Sequence, residues 1–212
     1  MLAGGASLRM GADKAELEVG GRRLVDVAVA ALDQAGASTV LVVGDPPGGG
    51  PRAVAGATAV PDRFPGEGPL GGLVTALAAA EALAVSPTPD LVVIVVACDM
   101  PALDAASARA LAAALVDAPH AAVAAAVVDG RAQPLTAAWR PALALEVLAD
   151  AFAAGERAPR RVLPRLPLVE VRGLDPEALQ DVDRPEDLRR YADPAMPGGE
   201  PARRPRDTTE PL

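Results

Sequence analysis

Cysteine, histidine and lysine each occur once in these 212 residues, and asparagine does not occur at all. One cysteine excludes an internal disulfide and any zinc site built on cysteines. One histidine excludes multi-histidine metal centres, and His120, just after Pro119 at a helix end, reads as a loop or capping residue. Long hydrophobic runs are missing too. A membrane span needs ~20 apolar residues, and the longest strongly apolar run here, Leu91 to Cys98, is only strand-length. The opening MLAGGASLRM lacks the charged start and long apolar stretch of a signal peptide. A formal net charge of −8 makes nucleic acid and anionic membranes poor partners. These absences leave a soluble, cytoplasmic domain as the expectation.

What is present is more pointed. Lysine and arginine number 20 together, so 19 are arginine and the one lysine is Lys14. In a chain that uses arginine nearly everywhere, a lone lysine suggests a site that needs a compact ammonium and not a planar fork. Half the residues are hydrophobic, enough for a packed core. Short apolar runs at Thr39–Gly44, Leu91–Ala97, Ala121–Val128, Leu135–Trp139 and Leu168–Val171 read as strands. Leu91–Ala97 is continuously apolar and β-branched, as in a strand buried on both faces. Helices are expected between them. Leu24–Ala35 carries apolar residues at 24, 27, 28, 31, 32 and 35, with Gly36 as its stop. Leu70–Ala84, Asp104–Asp117 and Ala142–Ala153 are rich in alanine and leucine, the last with Pro141 before it and Gly155 after it. The alternation predicts a three-layer α/β domain over 1–192 with a mainly parallel sheet. Residues 193–212 are proline-rich without apolar period and read as a disordered tail.

Six segments carry polar residues of chemical interest. LAGGASLRMGADK, residues 2–14, combines glycines with Arg9 and Lys14 before a helix. Glycines let backbone N–H groups close on a phosphate, and the two cations suit a polyphosphate. The spacing matches neither the Walker loop nor GxGxxG, and a surface turn with incidental cations is the alternative. Asp99, in VVIVVACDMP, follows a buried strand, where α/β sheets bind ligands. A carboxylate there suits Mg²⁺ carrying nucleotide phosphates, unless it only caps a turn before Pro101. Cys98 should face the core. DRFPGEGPLGG, residues 62–72, has four glycines and two prolines ahead of a helix, a loop either for a nucleoside or for connection alone. Gln133-Pro134-Leu135 opens a strand and says little by itself. GERAPRRVLPR, residues 155–165, packs four arginines into nine residues, which fits a second anionic ligand or a solvated face equally. Asp181 and Asp183 precede Pro185 and Glu186, a good helix start that also leaves room for a ligand role. Trp139 lies in an apolar strand and reads as core.

In this order LAGGASLRMGADK, DRFPGEGPLGGL, ACDMP, QPLTAAW, GERAPRRVL and DVDRPEDL resemble the molybdenum cofactor guanylyltransferase family over residues 2–191. The resemblance implies a Rossmann-like nucleotidyltransferase fold. It also implies transfer of GMP from GTP to the phosphate of Mo-molybdopterin, with release of pyrophosphate. It would give Leu2, Ala3, Gly4 and Gly5 to the guanosine and phosphates, Arg9 and Lys14 to the triphosphate, and Asp99 to Mg²⁺. Asp62 and the segment Gly68, Pro69 and Leu70 would hold the nucleoside. Gln133, Arg157, Arg160 and Arg161 would face the pterin and its phosphate, and Asp181 or Asp183 would complete the site. GTP and Mo-molybdopterin would be its substrates, with transient contacts to the proteins that deliver and accept the pterin. The attacking phosphate oxygen is already ionised, so a chain almost without histidine can do this chemistry by positioning and charge.

Two departures stand out. The family has a full strand before its glycine loop, whereas Met1 and Leu2 supply under ~7 Å at ~3.3 Å per residue. That predicts a natural start several residues upstream. The family also carries asparagine where this chain has Gly44, Asp181 and Asp183. Rival readings are a cytidylyltransferase using CTP and a nucleotide-binding module without turnover.

Overall fold

The computed structural model describes residues 1–3, 13–46, 52–84, 90–182 and 185–191. In chain order the elements are β1 (Glu18–Val19), β2 (Arg22–Arg23), α1 (Leu24–Gln34), β3 (Leu41–Val43), β4 (Thr58–Val60), α2 (Pro69–Leu83) and β5 (Val93–Val96). They continue with α3 (Ala105–Val116), β6 (Val123–Val128), β7 (Arg131–Trp139), α4 (Pro141–Ala153), α5 (Pro159–Val162), β8 (Leu168–Val171) and α6 (Pro185–Leu188). The expected tail at 193–212 lies outside the described residues.

The sheet is built in two parts. β3 and β4 pair in parallel. Four further strands follow the order β5-β7-β6-β8, in which β7 runs antiparallel to both neighbours and β6–β8 is parallel. The expectation of a mainly parallel sheet therefore needs amending: this second part is mixed. The reason is local. Asp129 and Gly130 both take positive φ, 50° and 71°, and turn β6 straight back into β7 as a hairpin, leaving no room for a crossover helix. Leu2 joins the two parts through parallel bridges to Val43 and Ala97. Its N–H donates to the Val96 carbonyl at 2.8 Å, and its carbonyl accepts from Cys98 N–H at 3.1 Å. Met1–Ala3 thus sits between β3 and β5. Farther back along those two strands, a cavity of about 390 Å³ is lined by Met1, Thr39, Leu41, Val93 and neighbouring apolar residues.

Strand alternation sorts the side chains into two layers. Val43, Val95, Val123, Ala125, Ala137 and Trp139 pack with α2, α4 and α5. Val42 and Val96 face the opposite way with α1 and Ala108, and Ala124, Ala126 and Ala138 pack with Leu111 and Leu115 of α3. β6, VAAAVV, is a strand despite alanine's preference for helix, because burial on both faces outweighs local propensity. Trp139, fully buried, donates its indole N–H to the Pro134 carbonyl at 3.2 Å. That carbonyl lies in the stretch where the β6–β7 register shifts.

The helix signals hold with small changes. α1 buries Leu24, Ala28, Ala31 and Leu32 of the expected stripe, with Val25 and Val29 buried in place of the half-buried Val27 and Ala35, and Gly36 ends it at φ 94°. Asp104 caps α3 by accepting from Ser107 N–H at 2.8 Å. Pro141 is the first residue of α4, and Gly155 follows its end at φ 93°. No helix among the described residues is long and apolar enough to cross a membrane.

Candidate active site

β5 delivers Asp99 to the carboxyl edge of the sheet. The strand's last residues are fixed by Leu2, so Cys98 turns into the core and Asp99 is the first side chain past the ladder. Burial, then the negative charges of Asp99 and Asp13, push the Cys98 thiol up to about 12, which keeps it protonated and inert. Asp99 keeps 20% of its side chain exposed, and its Oδ2 lies 3.1 Å from Lys14 Nζ. Lys14 and Asp99, two of the three residues that the sequence offered as catalytic, are therefore in contact, and the third, Arg9, lies outside the described residues. Lys14 opens a single 3-10 turn, Lys14–Glu16, in which Asp13 caps the start by accepting from Ala15 N–H at 3.1 Å. Ala15 is fully buried beneath that turn.

A residue the sequence did not single out braces this turn. Arg52, 3% exposed, reaches Asp13 at 2.5 Å and Glu16 at 2.6 Å with its two terminal nitrogens. In the sequence it is one of 19 arginines beside a proline- and glycine-rich loop, where a cation reads as solvated.

The second wall is the loop after β4. Asp62 Oδ1 accepts from Phe64 N–H at 3.0 Å and lies 3.2 Å from the Thr75 hydroxyl, which is itself 3.0 Å from the Gly71 carbonyl. Asp62 thereby ties its own loop to the first turns of α2. Gly68 caps α2 at φ 88°, and Pro69 is its first residue. A Cβ on Gly68 would meet Arg157 Cβ at 3.2 Å. Leu70 N–H donates to the Arg157 carbonyl at 3.1 Å, and Arg157 in turn reaches Glu67 at 2.7 Å and stacks 4.2 Å over the Phe152 ring. The glycine loop and the arginine cluster, nearly ninety positions apart, are thus one structure.

The remaining candidates divide. Arg160 and Arg161 are exposed on α5, where Arg161 lies 3.6 Å from Glu156. The Glu156 carboxyl is held below its usual range by the N–H groups of Ala158 and Arg157 and by Arg161. Gln133 lies opposite Ala126 at the start of β7 and donates to the Arg131 carbonyl at 3.3 Å. Because β7 is antiparallel, that start lies at the carboxyl edge of β5. Val182 N–H donates to the Asp99 carbonyl at 2.9 Å, which brings the segment of exposed Asp181 alongside Asp99. Asp181 itself lines a cavity of about 710 Å³ with Asp129, Arg190 and Tyr191. Leu2 and Ala3 serve the sheet and core: Leu2 is 9% exposed, and Ala3 N–H donates to Val43 at 2.7 Å. Gly4, Gly5, Arg9 and Asp183 lie outside the described residues.

Residues 1–171 match the MobA-like NTP transferase domain family. A protein of Deinococcus radiodurans described as a probable molybdenum cofactor guanylyltransferase is 38% identical over 192 residues, covering 88% of this chain and 89% of that protein. A molybdenum cofactor guanylyltransferase of Rhizobium johnstonii is 35% identical, covering 81% of this chain and 76% of its own. Among solved structures, molybdopterin-guanine dinucleotide biosynthesis protein A from Archaeoglobus fulgidus superposes with a TM-score of 0.69 at 20% identity, over 90% of this chain and 94% of that one. A 2-C-methyl-D-erythritol 4-phosphate cytidylyltransferase from Thermus thermophilus gives 0.63 at 25% identity, over 90% and 95%. The chain belongs to the MobA-like NTP transferase family, and its α/β fold is that of the nucleotidyltransferases.

Proposed function

We propose that this chain transfers GMP from GTP to Mo-molybdopterin and releases pyrophosphate. Family membership and relatives named as guanylyltransferases over most of their length support the reading. The observation that carries it is the contact of Lys14 Nζ with Asp99 Oδ2 at 3.1 Å, beyond the end of β5. An oxygen of the pterin phosphate bonds to the α-phosphorus of GTP. The bond from that phosphorus to the α,β-bridging oxygen breaks, and its electron pair leaves with pyrophosphate. No base is required, since the nucleophile is already ionised. Lys14, with Arg9 and the Gly4-Gly5 loop, neutralises the triphosphate. Gly68, Pro69 and Leu70, at the start of α2, border the nucleoside, with Asp62 holding that loop in shape. The exposed Arg160 and Arg161, with Gln133 and Arg157, receive the pterin and its phosphate. Asp181 and Asp183 close the site beside Asp99.

Mg²⁺ fits the donors. The described residues contain no group of three or more His, Cys, Asp or Glu that could hold a metal by themselves. One partly exposed carboxylate, Asp99, is what a Mg²⁺ ion needs when phosphate oxygens and waters supply its other ligands. Bound there, the ion supplies countercharge to the triphosphate.

Calorimetric titration with GTP and with CTP, each with Mg²⁺, tests the reading before turnover is attempted with molybdopterin. Selective GTP binding is the expected result. Selective CTP binding would make the chain a cytidylyltransferase, a reading the Thermus neighbour's fold accommodates. Binding of GTP without product from molybdopterin would leave a nucleotide-binding module, and binding of neither nucleotide would overturn the enzyme reading.

A further inference from the structure

Lys14 is flanked in its own turn by two carboxylates. Asp13 is its chain neighbour and Glu16 closes its turn, yet its ammonium lies 3.1 Å from Asp99, eighty-five positions away. Arg52 is what engages the two local carboxylates. It enters from the connection between β3 and β4, and its guanidinium fork meets Asp13 with one terminal nitrogen and Glu16 with the other. Its side chain is 2% exposed, and Asp13 is 14% exposed, so this is a partly desolvated cluster in which removal of the cation would strip Asp13 of its guanidinium partner. A lysine could not replace it, because one ammonium cannot present two parallel N–H groups to two carboxylates. Glu16 also meets Arg23 at 3.0 Å, from the end of β2, so the turn is gripped from both sides.

We infer that Arg52 is a positioning residue for Lys14: by engaging Asp13 and Glu16, it fixes the turn and aims the ammonium at Asp99 and at the triphosphate. The triphosphate part rests on the guanylyl reading; the aim at Asp99 does not. Since Lys14 is the only lysine, lysine-selective isotope labelling gives a single side-chain ammonium signal, which reports the pair without any nucleotide. In Arg52→Met that signal should move and its exchange with water should quicken, while kcat/KM for GTP falls about 100-fold, the scale of a misplaced reacting group. Arg52→Lys should not rescue turnover. Glu16→Gln takes the charge from one arm at a partner whose side chain is 42% exposed, so it should fold and move the signal in the same direction by less. An unmoved lysine signal in folded Arg52→Met overturns the inference. Should Arg52→Met fail to fold, an unmoved signal in Glu16→Gln overturns it instead. A signal that moves in a protein that binds no GTP supports the positioning role and overturns the guanylyl reading alone.

Discussion

Two buried guanidinium groups sit at opposite edges of the sheet. At the carboxyl edge, Arg52 faces the carboxylates of Asp13 and Glu16. At the amino edge, Arg140, 7% exposed, donates among the described residues to carbonyls alone: Ala121 at 2.5 Å, Leu115 at 3.2 Å and Ala118 at 3.3 Å. Those carbonyls belong to the last turn of α3 and the loop that follows it; Leu115 also accepts from Ala118 N–H at 3.2 Å and Ala118 from Ala121 N–H at 2.9 Å, so Arg140 adds a second donor to a helix end that the backbone already closes. The same side chain has two uses. Against neutral dipoles it completes the fold. Against carboxylates it gathers formal charges that a protein concerned only with stability could replace by apolar packing. The charged edge is where Asp99 and Lys14 lie, the pair on which the proposed reaction rests.

Substitutions should divide along that line. The largest effect on activity is expected at the charged edge: Asp99→Asn or Lys14→Ala should lower kcat by about 10²–10³-fold, the scale of removing one charge-stabilising group. Thermal melts should stay near that of the parent. Near-parental product formation by both would remove them from the site. Arg140→Met should do the reverse. It removes the guanidinium donor from the Ala121, Leu115 and Ala118 carbonyls and should cost about 1–3 kcal/mol by urea titration. Turnover per folded molecule should stay unchanged. A kcat loss in Arg140→Met at full folding would break the division between the two edges.

How much of this was legible in the sequence depends on the kind of signal. Strands such as Leu91–Ala97 and helix ends marked by Gly36, Asp104 and Pro141 were readable because burial and capping leave local residue preferences. The β1–β2 hairpin went unread although Gly20 and Gly21, at φ 57° and 75°, form its two-residue turn, since its strands are only two residues each. The antiparallel β7 could not be read from apolar runs, which carry no direction. Asp99 and Lys14 stood out by position and by rarity. Arg52 did not, because its partners Asp13 and Glu16 are thirty-six or more positions away and only the fold brings them near. Arg157 reads in the sequence as part of a ligand cluster, and the fold adds that it also locks the Gly68 loop through Glu67 and the Leu70 N–H.

Gly71 offers a middle-sized test of that lock. A Cβ there would stand 2.9 Å from Phe64 Cβ and 3.2 Å from Phe152 Cε2, inside two rings whose centroids are 4.5 Å apart. Gly71→Ala should lose about 1–3 kcal/mol by overpacking and weaken nucleotide binding by displacing the loop that Asp62 ties to Thr75. Calorimetry on the folded fraction checks the second part. Unchanged affinity would detach this loop from the nucleotide.

The smallest effect is expected at Cys98, which lies one residue before Asp99 yet belongs to the core. Its thiol titrates near 12 in the fold against an ordinary 9.0. The sign follows from linkage: the unfolded chain loses its thiol proton first, so stability is intact below pH 9.0 and declines as pH rises towards about 12. The slope from this one group is at most about 1.4 kcal/mol per pH unit. Cys98→Ala should flatten that part of the alkaline decline while leaving kcat at neutral pH unchanged. A thiol reagent at pH 8 should react with the parent only on unfolding. Rapid labelling of the folded protein would place the thiol on the charged side of the molecule, and the boundary between chemistry and core would then have to be drawn behind Cys98 and not in front of it.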